Sequence, residues 1–318
     1  MQHAPTLAGL HGTMQPVPAP PEACIMLDSP LDTVEAYVAH FSAQDMPVLR
    51  HTLRALEAMR AQEDKVNARQ IAGVVLNDPL MTVRVLSHQQ RHRRQSQNHD
   101  ITTVDRVIMM MGVGPFLHTF VQGHTLEDHL APHPRALLGA LKVINRARRT
   151  SQLARDWAII RHDIDINEIT VAGLLREITE IVCWLFAPAL AQRVDALQAR
   201  DPALRSAAAQ QAVFGVREND ILSGLVKAWC LPELLITLLD ESNASNPRVR
   251  NVLIASNFAR HLAHGWHDPA LPDDLADISQ LLRVSRENLL HRLGAPEDVV
   301  QRLGAEASPD ETERTPPH

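Results

Sequence analysis

Apolar residues recur at three- and four-residue intervals along most of the chain, which is the spacing of one face of an α-helix. In "MPVLRHTLRALEAM", for example, Leu49, Leu53, Leu56 and Met59 follow this spacing. No stretch shows the sustained two-residue alternation of a half-buried strand. The pattern therefore predicts an all-α protein: a multi-helix bundle with an N-terminal helical subdomain and a C-terminal helical cap.

Several helix boundaries are marked by polar residues, proline and glycine. Asp78 followed by Pro79 predicts an N-cap and a first helical residue. Asp165 and Glu168 have the Asp-x-x-Glu spacing of a capping box, which predicts a helix from the next residue, Ile166. A long amphipathic helix is predicted by a further set of apolar residues at helical spacing: Leu137, Leu141, Ile144, Leu153, Trp157 and Ile160.

The two ends of the chain differ in composition from its middle. Residues 1–27 include the proline-rich "QPVPAPPEA" and predict a flexible leader, and 305–318 have too little apolar surface to order themselves. Between the two ends, the helical pattern of residues 28–268 predicts one helical domain. Residues 272–304 predict a C-terminal extension of two short helices after the break at "WHDPALPDD".

Composition narrows the class of protein. Aromatic residues make up only 3% of the 318 residues, so the core must be built from aliphatic side chains that suit helices. A net charge of −6 disfavours wholesale binding to nucleic acid or to anionic membranes. Three isolated cysteines, no signal-peptide pattern and no apolar run of membrane-spanning length predict a cytoplasmic protein without membrane segments.

Histidine and aspartate are adjacent at three places, and together they could supply metal ligands. All three pairs fall where the sequence predicts a loop or a helix boundary, which is a poor place for a preorganised site. We therefore favour ordinary loop residues over a metal site for each pair: His99 with Asp100, His162 with Asp163, and His267 with Asp268.

Five segments in order resemble the landmarks of the HDOD (HD-related output) domain, across about residues 41–243. They are "FSAQDMPVLRHTLRAL", "IAGVVLNDPLMTVRVL", "ITTVDRVIMMMGVGPF", "AGLLREITEI" and "AWCLPELLITLLDESN". Their most characteristic residues are Asp78, Pro79, Gly112, Gly173, Trp229 and Pro232. The resemblance implies the helical fold of the HD-superfamily phosphohydrolases, in which metals are held by a His, a His-Asp pair and a further Asp. HDOD members commonly keep that scaffold and are associated with bacterial signalling.

The resemblance also implies that the metal-ligand positions are replaced in this chain. Arg176 and Glu177 stand where the His-Asp pair would lie, and Thr179 stands at a position often held by Gly. The remaining matched positions carry Glu218, Ser242 and Asn243, with an earlier ligand position near Val143 and the final Asp near Ser256 or Asn257.

Arginine has no lone pair to donate, so Arg176 would bring a fixed positive charge to a cation's ligand shell. Glu177 alone could not hold the metal. We therefore predict a protein that is not an enzyme and has no cofactor. For Arg176 we predict an exposed i,i+4 ion pair with Glu180. The run from Met109 to Met111 is predicted to be core filler.

Two arginine clusters could attract phosphate: Arg91, Arg93 and Arg94 in one, and Arg146, Arg148 and Arg149 in the other. Neither cluster has interleaved aromatic residues for base stacking, and we favour solvated surfaces. Whether the two clusters share a surface is open from sequence. No P-loop, Gly-x-Ser-x-Gly or zinc-ligand spacing is present.

The function predicted by resemblance is a non-catalytic bacterial signalling or regulatory protein that acts through contacts with partner proteins. Two alternatives stay open. One is a residual metal-dependent phosphohydrolase with displaced ligands such as His162 and Asp163. The other is a nucleotide or nucleic-acid binder acting through the arginine clusters, although the overall charge disfavours nucleic acid.

Overall fold

The computed structural model describes residues 26–91, 102–201 and 204–304. Within these ranges the secondary structure is helical without a strand, and the one β-type contact is an isolated parallel bridge between Val48 and Thr125. The predicted all-α fold is therefore confirmed for the described residues. No helix in these ranges combines the length and apolar character that crossing a bilayer requires.

The N-terminal subdomain is a layer of short helices. Their bounds are α1 (Val34–Ser42), α2 (Arg50–Arg60), α3 (Ala68–Val75), α4 (Pro79–Arg91), α5 (Val104–Met111) and α6 (Val113–Phe120). Helix α2 packs against α3 and α6, and α5 packs against α3, α4 and α6. Helix α1 instead reaches the central bundle, where the Tyr37 hydroxyl donates to the carbonyl of Phe214 at 2.9 Å.

The central bundle is organised around one long helix. Its elements are α7 (Leu126–His129), α8 (Pro134–Ile160), α9 (Ile166–Leu175), α10 (Ile178–Phe186), α11 (Pro188–Arg200), α12 (Ser206–Phe214), α13 (Glu218–Ala228), α14 (Glu233–Leu239) and α15 (Pro247–Leu262). Helix α8 contacts α9, α10 and α15, so side chains of these helices can meet beside it. Gly173 permits the close approach of α9 to α8, because a Cβ there would lie 3.1 Å from Ser151 Cα.

The C-terminal cap contains α16 (Leu271–Leu282), α17 (Arg286–Leu293) and α18 (Glu297–Gly304). Helix α16 packs on α15, and α17 bridges α16 and α18. The cap therefore has three helices, and the prediction of two was wrong because α16 begins inside the proline-rich break. Pro272 sits in the first turn of α16, where its missing N–H is tolerated.

Local features of the sequence mark two helix boundaries. Asp78 Oδ1 accepts from the backbone N–H groups of Leu80 and Met81, at 3.0 and 3.1 Å, at the start of α4. Gly112 ends α5 with a φ of +85°, a conformation that residues with a Cβ rarely adopt. The predicted long amphipathic helix is α8, whose bounds enclose all six of its apolar markers.

Two local predictions were wrong. Helix α9 begins at Ile166, but no capping box forms: Glu168 accepts from the Thr102 hydroxyl, and Asp165 pairs with Arg248 on α15. Long-range partners therefore replace the local hydrogen bonds. The methionine run is core filler only at Met111, which packs against the core, because Met109 and Met110 are 64% and 50% exposed.

The predicted flexible segments lie almost wholly outside the described residues. Met26 and Leu27, at the end of the predicted leader, pack against the core instead. The backbone N–H of Leu27 donates to the carbonyl of Phe186 at 2.7 Å, which ties the start of the described chain to α10.

Candidate functional site: a buried arginine–glutamate cluster

The carboxylate of Glu177 lies in the bundle at the junction of α9 and α10, with its side chain only 1% exposed. Arg146 of α8 and Arg260 of α15 both donate to Glu177 Oε2, through Nη2 atoms at 2.7 and 2.8 Å. Ser256 of α15 donates its hydroxyl to Oε1. Donors from two helices, α8 and α15, thus converge on one carboxylate.

Glu180, one turn later on α10, completes the arrangement. Its Oε2 is bound by Arg146 and lies 3.3 Å from Nη1 of Arg260. The side chains of Arg146, Glu180 and Arg260 are 15–20% exposed, so the group lies at the base of a surface opening. We call Arg146, Glu177, Glu180, Ser256 and Arg260 the Glu177 cluster.

The charges within the Glu177 cluster compensate one another. Burial alone would raise the pKa of Glu177, but Arg260, Arg146 and the Ser256 hydroxyl outweigh it and hold that pKa well below its usual range. Burial likewise opposes the charge on Arg146, yet Glu180 and Glu177 raise its pKa. The two guanidinium groups are thus paired with two carboxylates of opposite charge.

Two of the positions matched to metal ligands by resemblance meet at this cluster. Glu177 and Ser256 are in direct contact, and Val143 is buried on α8 one turn before Arg146. Asn257, the other position considered for the final Asp, is exposed. The cluster therefore occupies the place where the resemblance puts a metal site, with arginines and a serine among its members.

Arg176 does not enter the cluster. Its Nη1 donates to Asn219 at 2.9 Å, and its Nη2 lies 3.5 Å from a carboxylate oxygen of Glu241. The predicted pair with Glu180 is wrong, because Glu180 faces the two arginines of α8 and α15. The positive charge at this site thus comes from helices distant in sequence.

A family model for the HDOD domain matches residues 46–245, which is more than half of the chain. The chain belongs to the HDOD family.

HDOD landmark residues serve structural roles: Trp229 is buried at the C-terminal end of α13, and Pro232 precedes α14. Ser242 and Asn243 lie in a short 3₁₀ helix, Glu241–Asn243, that has no buried residue.

Two solved structures resemble this HDOD chain in fold. The MmoQ response regulator from Methylococcus capsulatus str. Bath shares 16% identity at a TM-score of 0.55, covering 83% of this chain and 100% of that one. A virulence factor from Campylobacter jejuni subsp. jejuni shares 19% identity at a TM-score of 0.56, covering 85% and 96%. At these identities the likeness supports the fold alone. No curated protein matches the chain.

The His-Asp pairs do not build a metal site in the described part of this HDOD chain. Asp163 is bound by Arg161 at 3.1 Å, and the neighbouring His162 is exposed. Asp268 pairs with His264 rather than with a His of another element, and His99 with Asp100 lies outside the described residues. Across the described ranges, no group of three or more His, Cys, Asp or Glu side chains could hold a metal ion.

The structure does not keep the arginines of the two predicted clusters together. Arg146 belongs to the Glu177 cluster, which removes it from any surface patch, whereas Arg149 is exposed. Arg148 donates to the Asn77 carbonyl at 2.6 Å, beside the start of α4, and Arg91 is the last residue of α4. The first and last residues of α4 are therefore about 18 Å apart along the helix axis. Arg148 and Arg91 therefore do not converge, and Arg93 and Arg94 lie outside the described residues.

Glu218, the first residue of α13, lies beside the Glu177 cluster without joining it. Burial and the negative charges of Glu180 and Glu177 raise the pKa of Glu218 to about 7, although Arg260 and Arg176 oppose the shift. Among the described residues this carboxylate has no hydrogen bond or ion pair. A carboxylate with this pKa changes its charge near neutral pH.

Glu218 should make stability depend on pH. Its folded pKa is above the unfolded value, so its contribution to stability is present below about pH 4.5 and is lost as pH rises through about 7. We expect the free energy of unfolding of wild type, minus that of Glu218→Gln, to be larger at pH 5 than at pH 8. Urea unfolding of both proteins measures this difference.

Glu233→Gln is the matched control for this pH series, because Glu233 opens α14 as Glu218 opens α13 but is exposed. The free energy of unfolding of wild type, minus that of Glu233→Gln, should not fall between pH 5 and 8. A Glu218→Gln difference that stays constant, or that grows with pH, would contradict the raised pKa of Glu218.

Sequence reasoning missed Arg260 and assigned Arg146 and Glu180 to exposed faces. One signal was present: both arginines lie on helical segments between apolar residues, in "LKVINRARR" and "LIASNFARHL". Nothing in the sequence pairs these segments with Glu177, since Arg260 is separated from it by 83 residues.

Proposed function

We propose that this HDOD protein is a non-catalytic regulatory protein in bacterial signalling and acts through contacts with partner proteins. The observation that carries the proposal is the ion pairing of Glu177 with Arg146 and Arg260. A hydrolytic metal centre needs free carboxylate and imidazole ligands and one open coordination position. Here the carboxylate is occupied, and its neighbours are cations.

The replacement of ligands by ion pairs also explains how the bundle could keep its shape without a metal. In a metalloprotein the ion crosslinks the helices that supply its ligands. The Glu177 cluster makes equivalent links between α8, α10 and α15 through charge-assisted hydrogen bonds. A rigid helical body of this kind can present binding surfaces without performing chemistry.

The family supports a signalling role at a coarse level, and the MmoQ protein is described as a response regulator. Tagged full-length protein, isolated from the source organism under native conditions, should retain specific protein partners. Capture of none, above the level of an untagged control, would contradict a function based on protein contacts.

The same preparation tests the phosphohydrolase alternative. We expect no hydrolysis of phosphomonoesters or phosphodiesters above background when Mn²⁺, Fe²⁺ or Zn²⁺ is supplied. The double variant His162→Asn with Asp163→Asn is the matched control, because these residues were the displaced ligands that the sequence offered. Metal-dependent turnover that disappears in this variant would overturn the non-catalytic assignment.

A further inference from the structure

A groove that is open to solvent lies between α2, α3 and α8. It holds about 250 Å³ of accessible space. Pockets for drug-sized molecules have volumes of about 300–1,000 Å³, so this groove suits a smaller ligand. None of its lining residues is acidic, and they are His51, Ala55, Gly73, Val74, Asn77 and Arg148.

The guanidinium group of Arg148 is held at this groove by hydrogen bonds to three parts of the chain. Its Nε donates to the carbonyl of Asn77 at 2.6 Å, and its Nη1 donates to Oδ1 of Asn145 at 3.2 Å. Its Nη2 lies 3.2 Å from Nε2 of His51 on α2. A guanidinium group has five N–H donors. At least two of the Arg148 donors therefore remain for a ligand.

The positive charge of Arg148 is poorly compensated. Arg146, half a turn earlier on α8, is paired with two carboxylates, whereas Arg148 has no ion pair among the described residues. Burial lowers the pKa of Arg148, and the buried Asp78 opposes that effect. The carboxylate of Asp78 is itself bound by backbone N–H groups at the starts of α2 and α4. A further anion beside Arg148 would therefore stabilise its charge.

Gly73 leaves space in the groove that the fold does not require. It lies inside α3 without a positive φ, so its backbone conformation does not call for glycine. A Cβ at this position would have no atom of the described residues within 4 Å, so packing does not call for glycine either. Glycine in a helix interior is less stable than alanine. A side chain here would instead occupy the groove, which favours a ligand as the reason for the empty space.

We propose that this groove binds the phosphate group of a small phosphate monoester. Arginine forms paired N–H···O hydrogen bonds with phosphate oxygens, which Arg148 can supply from its remaining donors. Arg54 is exposed three residues after His51, on the same side of α2, and adds a second positive charge for a dianion. The organic body of the ester would lie against Ala55 and Val74. The proposal goes beyond the regulatory function and does not depend on it.

Calorimetry on the full-length protein with phenyl phosphate, in phosphate-free buffer of low ionic strength, tests the proposal. Benzoate and phenol are the matched monoanionic and neutral probes. We expect phenyl phosphate to bind at least about tenfold more tightly than phenol, since a charge-assisted hydrogen bond contributes about that factor. No binding of phenyl phosphate at millimolar concentration, or equal or tighter binding of benzoate or phenol, would overturn the proposal.

Arg148→Gln removes the charge on which the proposed site depends. We expect it to weaken phenyl phosphate binding at least about tenfold. Arg149→Gln is the matched control, because it removes the same charge from the next residue, which is exposed and does not line the groove. It should change the affinity by less than about twofold, since solvent and salt screen exposed charges. Equal weakening in the two variants would overturn the assignment to Arg148.

Gly73→Glu tests the same site with Arg148 in place, and it decides the matter if Arg148→Gln does not fold. Glutamate adds a carboxylate where the groove has open space, so it would compete with the phosphate for Arg148. We expect phenyl phosphate to bind at least about tenfold more weakly. Circular dichroism shows whether each variant is folded. Unchanged binding to folded Gly73→Glu would place the phosphate elsewhere and overturn the proposal.

Discussion

Replacing Glu177 with alanine is expected to lower the free energy of unfolding by about 3–5 kcal/mol, as expected when one partner of a buried ion pair is removed. The variant leaves the guanidinium groups of Arg146 and Arg260 with only Glu180 to share, and it leaves the Ser256 hydroxyl without its acceptor. Urea unfolding at pH 7 measures the loss.

The loss of stability in Glu177→Ala should also depend on pH, in a direction set by the pKa of Glu177. Because the folded-state pKa of Glu177 is depressed, its contribution is present above the unfolded pKa and declines as pH falls below about 4. The difference in free energy of unfolding between wild type and Glu177→Ala should therefore become smaller below about pH 4. If Glu177→Ala does not fold, Glu177→Gln keeps the shape and removes the charge, and the same comparison applies.

Glu57→Ala is the matched control for Glu177→Ala. The side chain of Glu57 on α2 is 66% exposed, and its Oε1 lies 3.8 Å from Nη2 of Arg60. An exposed pair of this kind contributes less than about 1 kcal/mol. Equal losses in Glu57→Ala and Glu177→Ala would contradict a structural role for the Glu177 cluster.

Replacing Asp78 with alanine should be the second most damaging change, with a loss of about 2–5 kcal/mol. The fully buried carboxylate accepts from the backbone N–H groups of Leu80 and Met81, and also from Leu49 at the start of α2. Alanine would leave three buried donors without partners and would separate the starts of α2 and α4. Thermal and urea unfolding both report the loss.

Asp78→Asn distinguishes hydrogen bonding from charge at this position. Burial raises the pKa of Asp78 despite its hydrogen bonds, so the ionised form already carries a penalty. Asparagine keeps one acceptor oxygen and avoids that penalty. We expect Asp78→Asn to lose clearly less stability than Asp78→Ala, and a loss of the same size would contradict this explanation.

The fold could be predicted from sequence where its determinants are local. Helical periodicity gave the all-α class, and Asp78 with Pro79 marked the start of α4 because an N-cap bonds within its own first turn. The same local reasoning failed for Asp165 and Glu168. Their carboxylates are bound by Arg248 and Thr102, which lie 83 and 66 residues away in sequence.

The site was predictable only in part. The resemblance matched Glu177, and either Ser256 or Asn257, to ligand positions, and Ser256 is the one of the two that contacts Glu177. It could not identify Arg146 and Arg260 as their cationic partners, because those contacts depend on how α8 packs on α10 and how α15 packs on α8 and α9. An i,i+4 rule pairs Arg176 with Glu180, but tertiary packing gives Glu180 two stronger partners.

Metal analysis of the full-length protein tests the central claim most directly. The protein would be produced with Mn, Fe and Zn in the medium, dialysed without chelator, and measured by mass spectrometry alongside Glu177→Gln. The Glu177 cluster predicts metal far below one ion per chain in both proteins, because its carboxylates are bound by Arg146 and Arg260. One or two ions per wild-type chain, absent from Glu177→Gln, would contradict it.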